Sequence, residues 1–152
     1  MVGALSRGSR YGLPETLMPV NSNVTLASGD LVNIQAGQLE VVDAGERILG
    51  VIKQSATSAT DNCQVIVTPG LQIVMDNDNL VTTFGATHVG TYFDTIGATG
   101  AQVVDTSTTI GSEVTTQSAQ LLCLGYNPQL GGDYDADVSI GLFMIFESVW
   151  TK

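Results

Sequence analysis

The spacing of turn-forming residues constrains this chain more than any other feature. Short apolar and β-branched runs are interrupted about every 8–12 residues by Gly, Asn, Asp or Pro, the rhythm of a β-sandwich or barrel. No window shows the i, i+3, i+4, i+7 recurrence with caps that marks a helix of ten residues or more. Strands are expected over residues 24–27, 30–34, 38–42, 47–53, 63–68, 71–75, 80–83, 91–96, 101–105, 120–126 and 137–147. Gly29, Gly37, Gly45 and Gly70 stand where a positive φ is needed to reverse the chain, and Pro69-Gly70, between two apolar runs, predicts a tight hairpin. Residues 71–75 alternate only in part, as expected of a strand covered on both faces.

The predicted fold is therefore all-β, an antiparallel β-sandwich or barrel-like domain with an extended N-terminal arm. Residues 1–19 hold two of the five basic residues, three glycines and both prolines of the first half, and read as the arm. Residues 20–152 read as a single β domain, long enough to bury roughly two-thirds of the surface the unfolded chain exposes. Residues 54–62 and 105–118 are polar, small-residue stretches expected as loops or weak edges.

Charge is unevenly placed. The basic residues are Arg7, Arg10, Arg47, Lys53 and Lys152, so residues 54–151 carry ten acids and no Lys or Arg within a net charge of −10. Such a field repels phosphate, which argues against nucleic acid and anionic membrane as partners. Residues 1–20 contain no apolar stretch of secretory type, and the longest apolar run, residues 140–146, is about a third of the ~20 residues of a membrane helix. Charged residues make up 13% of the chain, about half the usual share, which points to a surface covered by other subunits.

Few residues invite chemistry. Asp133, Asp135 and Asp137 form a D-x-D-x-D run resembling the start of a calcium loop, but Val138 stands where the turn glycine belongs and Met144 where the bidentate Glu belongs. They are the weak metal candidate, set against a solvated turn, and no metal or other cofactor is expected. Asp76, Asn77, Asp78 and Asn79 read as a hairpin turn. His88 is the sole histidine, with no nucleophile elbow or phosphate loop beside it, so no catalytic residue is assigned. Cys63 and Cys123 belong to no Cys/His cluster and are expected as buried thiols, with a disulfide as the alternative.

One resemblance emerges at Gly29-Asp30-Leu31-Val32, followed by Leu39-Glu40-Val41-Val42-Asp43 and by Ala44-Gly45-Glu46-Arg47-Ile48-Leu49-Gly50-Val51. This order resembles the small capsid decoration, or cement, proteins of tailed bacteriophages. Ala119-Gln120-Leu121-Leu122-Cys123-Leu124-Gly125-Tyr126-Asn127-Pro128 and then Asp137-Val138-Ser139-Ile140 resemble the closing strands of that group. The matching pieces cover about half the chain. The resemblance implies a non-enzymatic virion protein, made in the host cytoplasm, that seats on the capsid exterior against the major capsid protein as a homotrimer or similar oligomer.

On that reading Arg7, Arg10, Tyr11 and Leu13 of the arm, with Trp150 near the other end, are the capsid-contact candidates. The alternatives are a tail or other virion component and a carbohydrate- or cell-surface-binding β module.

Overall fold

A computed structural model of the chain describes residues 3–4, 15–21, 23–57, 62–67, 70–78, 86–105, 120–126 and 140–146. The strands are β1 (Gly3–Ala4), β2 (Glu15–Pro19), β3 (Leu31–Gln35), β4 (Gln38–Val41), β5 (Gly50–Ile52), β6 (Asn62–Ile66), β7 (Gln72–Asp76), β8 (Tyr92–Phe93), β9 (Thr95–Ile96), β10 (Val103–Val104), β11 (Leu121–Tyr126) and β12 (Ile140–Ile145). Among the described residues the helical structure is one 3-10 turn, Ala86–His88. No helix is long and apolar enough to cross a membrane. The domain is all-β and its strand ladders are antiparallel, as the turn spacing predicts.

Two five-stranded sheets form the body. One runs β2-β6-β5-β3-β4 and closes on itself: Val20, directly after β2, bridges Leu39 of β4 in parallel. The Asn21 N–H donates to the Leu39 carbonyl at 3.2 Å, and the Asn21 amide donates to the Glu40 carboxylate across the same seam. This closed sheet is a small barrel whose interior holds Val20, Leu26, Val32, Leu39, Ile52, Cys63 and Val65. The other sheet, β1-β7-β12-β11-β8, stays open, and the ribbon β9-β10 joins its end where Asn77 bridges Val104.

Side-chain alternation explains how the two layers meet. In the barrel, neighbouring residues point oppositely, so Val32, Ile52 and Val65 face the interior while Leu31, Val51 and Ile66 face out. Those outward residues join Ile73 and Met75 of β7, Phe93, Leu121, Phe143 and Ile145 in a second core between the layers. Barrel strands are thus apolar on both faces, which produces the pairs Leu31-Val32, Val51-Ile52 and Val65-Ile66. Gly50 has no room for a side chain, since a Cβ there would lie 2.2 Å from the Ile66 carbonyl oxygen.

Several expectations are corrected. Residues 15–19 are strand β2, paired along their length with β6, and Gly3–Ala4 pairs with β7, so these parts of the expected arm lie within the sheets. The alternation of exposed Glu15, Leu17 and Pro19 with half-buried Thr16 and Met18 hides this strand, because one of its faces meets solvent. Gly70 does turn the chain at φ 69°, but β6 and β7 lie in different sheets, so the segment crosses between layers instead of forming a hairpin. Asp76 ends β7 and buried Asn77 continues it to Val104, so the expected Asp/Asn turn is extended through those two residues. In β7 itself Ile73 and Met75 are buried while Gln72 and Val74 are half-exposed, a clean alternation and not a strand covered equally on both faces. Residues 91–96 divide into β8 and β9, which belong to separate sheets. The expected strand at residues 80–83 lies outside the described residues.

The β3–β4 hairpin forms as predicted, with Gln35 opposite Gln38 across a two-residue turn. Ala36 and Gly37 both have positive φ, 49° and 82°, the backbone of the tight turn favoured between twisted strands. Alanine at a left-handed position costs roughly 1–2 kcal/mol through its Cβ. Ala36→Gly is therefore expected to raise the unfolding free energy by about 0.5–1 kcal/mol, net of the added chain entropy. Urea denaturation of the two proteins measures it, and an unchanged or lower midpoint would show that the turn is not strained.

Candidate binding face and the polar ties behind it

The open sheet buries one face against the barrel and presents the other outward. Its buried side carries Ile73, Met75, Phe93, Leu121, Cys123, Phe143 and Ile145. The opposite side carries Val74, Tyr92, Leu122, Leu142, Met144 and Phe146, all partly exposed, with Gln72 and Asp76 as the polar residues of β7 on that side. Tyr92 and Phe146 meet edge to face at 4.8 Å between ring centres. Between Cys123 and Gly125 the β11–β12 register shifts, so Leu124 is the extra residue of a bulge and stands 36% exposed. Val89, 42% exposed, is adjacent, because Gly90 donates its N–H to the Cys123 carbonyl at 2.9 Å. Bulges commonly re-aim a side chain next to a functional surface.

Three buried polar side chains tie this sheet and its ribbon to the barrel. Asp30, 2% exposed, accepts hydrogen bonds from the Ala27 N–H at 2.8 Å, the Gly100 N–H at 2.7 Å and the Thr99 hydroxyl. Gln102 accepts from the Leu31 N–H at 2.6 Å and donates to the Leu31 and Val42 carbonyls at 3.2 and 3.4 Å. Gln120 accepts from the Thr95 N–H at 2.7 Å and donates to the carbonyls of Asp43 and Glu46, both at 2.7 Å. Each side chain adds hydrogen bonds to backbone groups at the layer junction, where the Leu31 and Asp43 carbonyls also accept from the Val42 and Glu46 N–H groups at 3.1 Å. A carboxylate already engaged by three donors is poorly placed to act as a base, and the chemical content of this junction is structural.

The sequence-predicted site residues divide in two. Arg7, Arg10, Tyr11, Leu13, Asp133, Asp135, Asp137 and Trp150 lie outside the described residues. His88 sits on the 3-10 turn with its ring edge-on to Phe93 at 5.7 Å, at the border of the core. Among the described residues no three His, Cys, Asp or Glu side chains gather to hold a metal ion. Cys63 and Cys123 are buried free thiols in different cores, and the Cys63 thiol donates to the Gln54 carbonyl at 2.7 Å.

Sequence reasoning missed Gln102 and Gln120 as ties, since their partners lie 71 and 77 residues away. For Asp30 a signal existed: an acid directly after a turn glycine and before an apolar pair is a carboxylate poised to bond nearby amides. No protein-family model, curated protein or solved structure matches the chain.

Replacing Asp30 by Ala removes the acceptor of the Gly100 amide and leaves the Ala27 amide with the Thr99 hydroxyl at 3.1 Å as its remaining partner, and the expected loss is about 1–2 kcal/mol of stability, with faster hydrogen exchange at both amides. A variant within ~0.5 kcal/mol of the parent would mean that water replaces the carboxylate without cost.

Burial pushes the Cys123 thiol from its ordinary 9.0 up to about 11, partly opposed by backbone hydrogen bonds at Gly125 and Gly90. The unfolded chain loses this proton first, so the contribution to stability is complete below pH 9 and is lost as the pH rises through about 11. Accordingly Cys123 is expected to resist alkylation at pH 8 in the folded protein and to react on unfolding, which mass spectrometry of iodoacetamide-treated samples checks. Rapid labelling of the native protein would contradict the buried placement.

Proposed function

We propose that this chain is a non-enzymatic structural component of a tailed-phage virion, which seats on the outer surface of the capsid lattice and stabilises the shell. The observation that carries the reading is the placement of the residues behind the resemblance. Residues 29–32, 39–43 and 44–51 form one contiguous unit of the barrel: a turn into β3, the hairpin to β4, and the Ala44-Gly45 turn leading to β5. Within that unit the residue types serve stated physical needs. Asp30 satisfies three donors, Gly50 admits the Ile66 backbone, and Leu31 and Val51 stand opposite each other facing the inter-layer core.

A cement protein bears load through shape and stiffness, and a closed barrel tied to a second sheet by buried hydrogen bonds supplies both. Partly exposed apolar side chains on the open sheet supply contact area for protein neighbours. The major capsid protein is the proposed partner and a homotrimer the proposed assembly. Arg7, Arg10, Tyr11, Leu13 and Trp150 are the proposed lattice contacts.

The test mixes the purified protein with expanded shells that lack it, then sediments the shells and counts bound copies. Saturation at a fixed number per lattice unit is expected. Deletion of residues 1–13, which removes the two-residue edge strand β1 together with the proposed contacts Arg7, Arg10, Tyr11 and Leu13, is expected to leave strands β2 to β12 folded while weakening attachment. Absence of binding at micromolar protein would overturn the reading and turn attention to a tail component or a carbohydrate-binding module.

A further inference from the structure

We propose that the free edge of strand β2 is a self-association site, at which two copies of this chain pair β2 with β2 in antiparallel register about a two-fold axis at Leu17. The inference is independent of the virion reading, because it rests on the geometry of the barrel seam, and it adds a two-fold contact to the assembly proposed above.

The barrel closes along only part of β2. Backbone N–H and C=O groups point alternately to the two sides of a strand. The Asn21 N–H reaches the Leu39 carbonyl of β4, so the backbone groups of Leu17 and Glu15, an even number of residues earlier, point to that same side, while those of Thr16 and Met18 face β6. Strand β4 begins at Gln38, directly after the Ala36-Gly37 turn, and the seam ladder among the described residues is the bridge of Val20 to Leu39. Among the described residues no strand pairs with Glu15, Thr16 or Leu17 on the seam side.

The side chains report the same edge. Lys53, Gln64 and Leu17 stand side by side across β5, β6 and β2: the Lys53 N–H donates to the Gln64 carbonyl at 2.9 Å, and Gln64 lies opposite Leu17. On the edge side of Leu17 this row ends, and Leu17 is 64% exposed, the highest value of any large apolar side chain described. Natural edge strands are guarded by charge or by proline. Here Glu15 and Pro19 guard the two ends of β2 and leave its middle open.

Register selects the occupant. A two-fold axis through the edge pairs the strands antiparallel. Centred on Leu17, it sets Leu17 against Leu17, Thr16 against Met18 and Glu15 against Pro19, and the two Leu17 backbones exchange both N–H···O=C bonds. Like charges directly opposite destabilise a ladder. This register has none, because the two Glu15 carboxylates stand at opposite ends, each paired with Lys53 of its own copy at 2.7 Å. Shifting by two residues either way sets Leu17 against Glu15 or against Pro19, which has no N–H to give. In the central register the row runs Lys53, Gln64, Leu17, Leu17, Gln64, Lys53 across the joined sheets, with the apolar pair between polar neighbours.

The test is sedimentation velocity of the free full-length chain, without shells, from micromolar to millimolar concentration. The parent chain is expected to associate two-fold, doubling the mass of its smallest species. Leu17→Lys and Leu17→Glu each set like charges opposite one another across the axis, and each is expected to weaken the association at least about tenfold. Mixed in equal amounts, the two variants set Lys against Glu and are expected to associate with each other again. Position 17 is exposed, so both variants keep their fold, which circular dichroism verifies.

A parent chain that does not associate, a variant that associates like the parent, or a mixture that stays apart each overturns the proposal, the last because a Leu17 that meets any other surface gives no rescue. Shell binding plays no part in these measurements, so the virion reading stands or falls separately, on the sedimentation of shells.

Discussion

The architecture depends on one sheet serving two cores. The barrel strands bury Val32, Ile52 and Val65 inside and Leu31, Val51 and Ile66 outside, so the same backbone ladders frame both hydrophobic clusters. Fully burying such a side chain is worth about 1.5–3 kcal/mol, and each adjacent pair contributes to both clusters. A one-residue slip in any barrel strand would exchange the two sets. Register is therefore fixed from both sides, and the Ala36-Gly37 turn and the close approach at Gly50 fix it locally.

Burying a strand on both faces creates a difficulty where it ends, because the regular ladder stops there while the backbone groups are still shielded from water. The three polar side chains answer this. Gln102 bonds both backbone groups of Leu31, Gln120 caps the carbonyls of Asp43 and Glu46 on either side of the Gly45 turn, and Asp30 gathers the amides of Ala27 and Gly100. All three draw their partners from the meeting of the barrel with the segment 95–102 or with β11. Their hydrogen bonds therefore couple the layers directionally, where hydrophobic contact alone would permit sliding.

This division of labour explains what was legible in the sequence. Turn glycines and β-branched runs report on local backbone, and they located β3, β4, β5, β6, β7, β11 and β12 to within a few residues. Consecutive apolar pairs such as Leu31-Val32 held the information that both faces are buried. By contrast, sheet membership is decided by contacts between distant segments. The turn at Gly70 looks the same locally whether the chain doubles back or crosses to the other layer, and β2 presents too little apolar surface to announce itself. The outward face of the open sheet was hidden for a related reason: Leu122, Leu142 and Met144 stand within apolar runs, and the pairing of β11, β12 and β7 is what assigns them to the far side of their strands.

Charge completes the picture, because its distribution follows the layers. The barrel layer combines Glu15, Glu40, Asp43 and Glu46 with Arg47 and Lys53, whereas residues 54–151, which supply most of the open-sheet layer, include ten acids and no Lys or Arg. The two layers therefore differ in the composition of their charge, and the inter-layer core holds them in fixed orientation. Were they free to slide, the outward face of the open sheet would lose its fixed position relative to the barrel, so the buried ties of Asp30, Gln102 and Gln120 preserve both stability and the relative placement of the two surfaces.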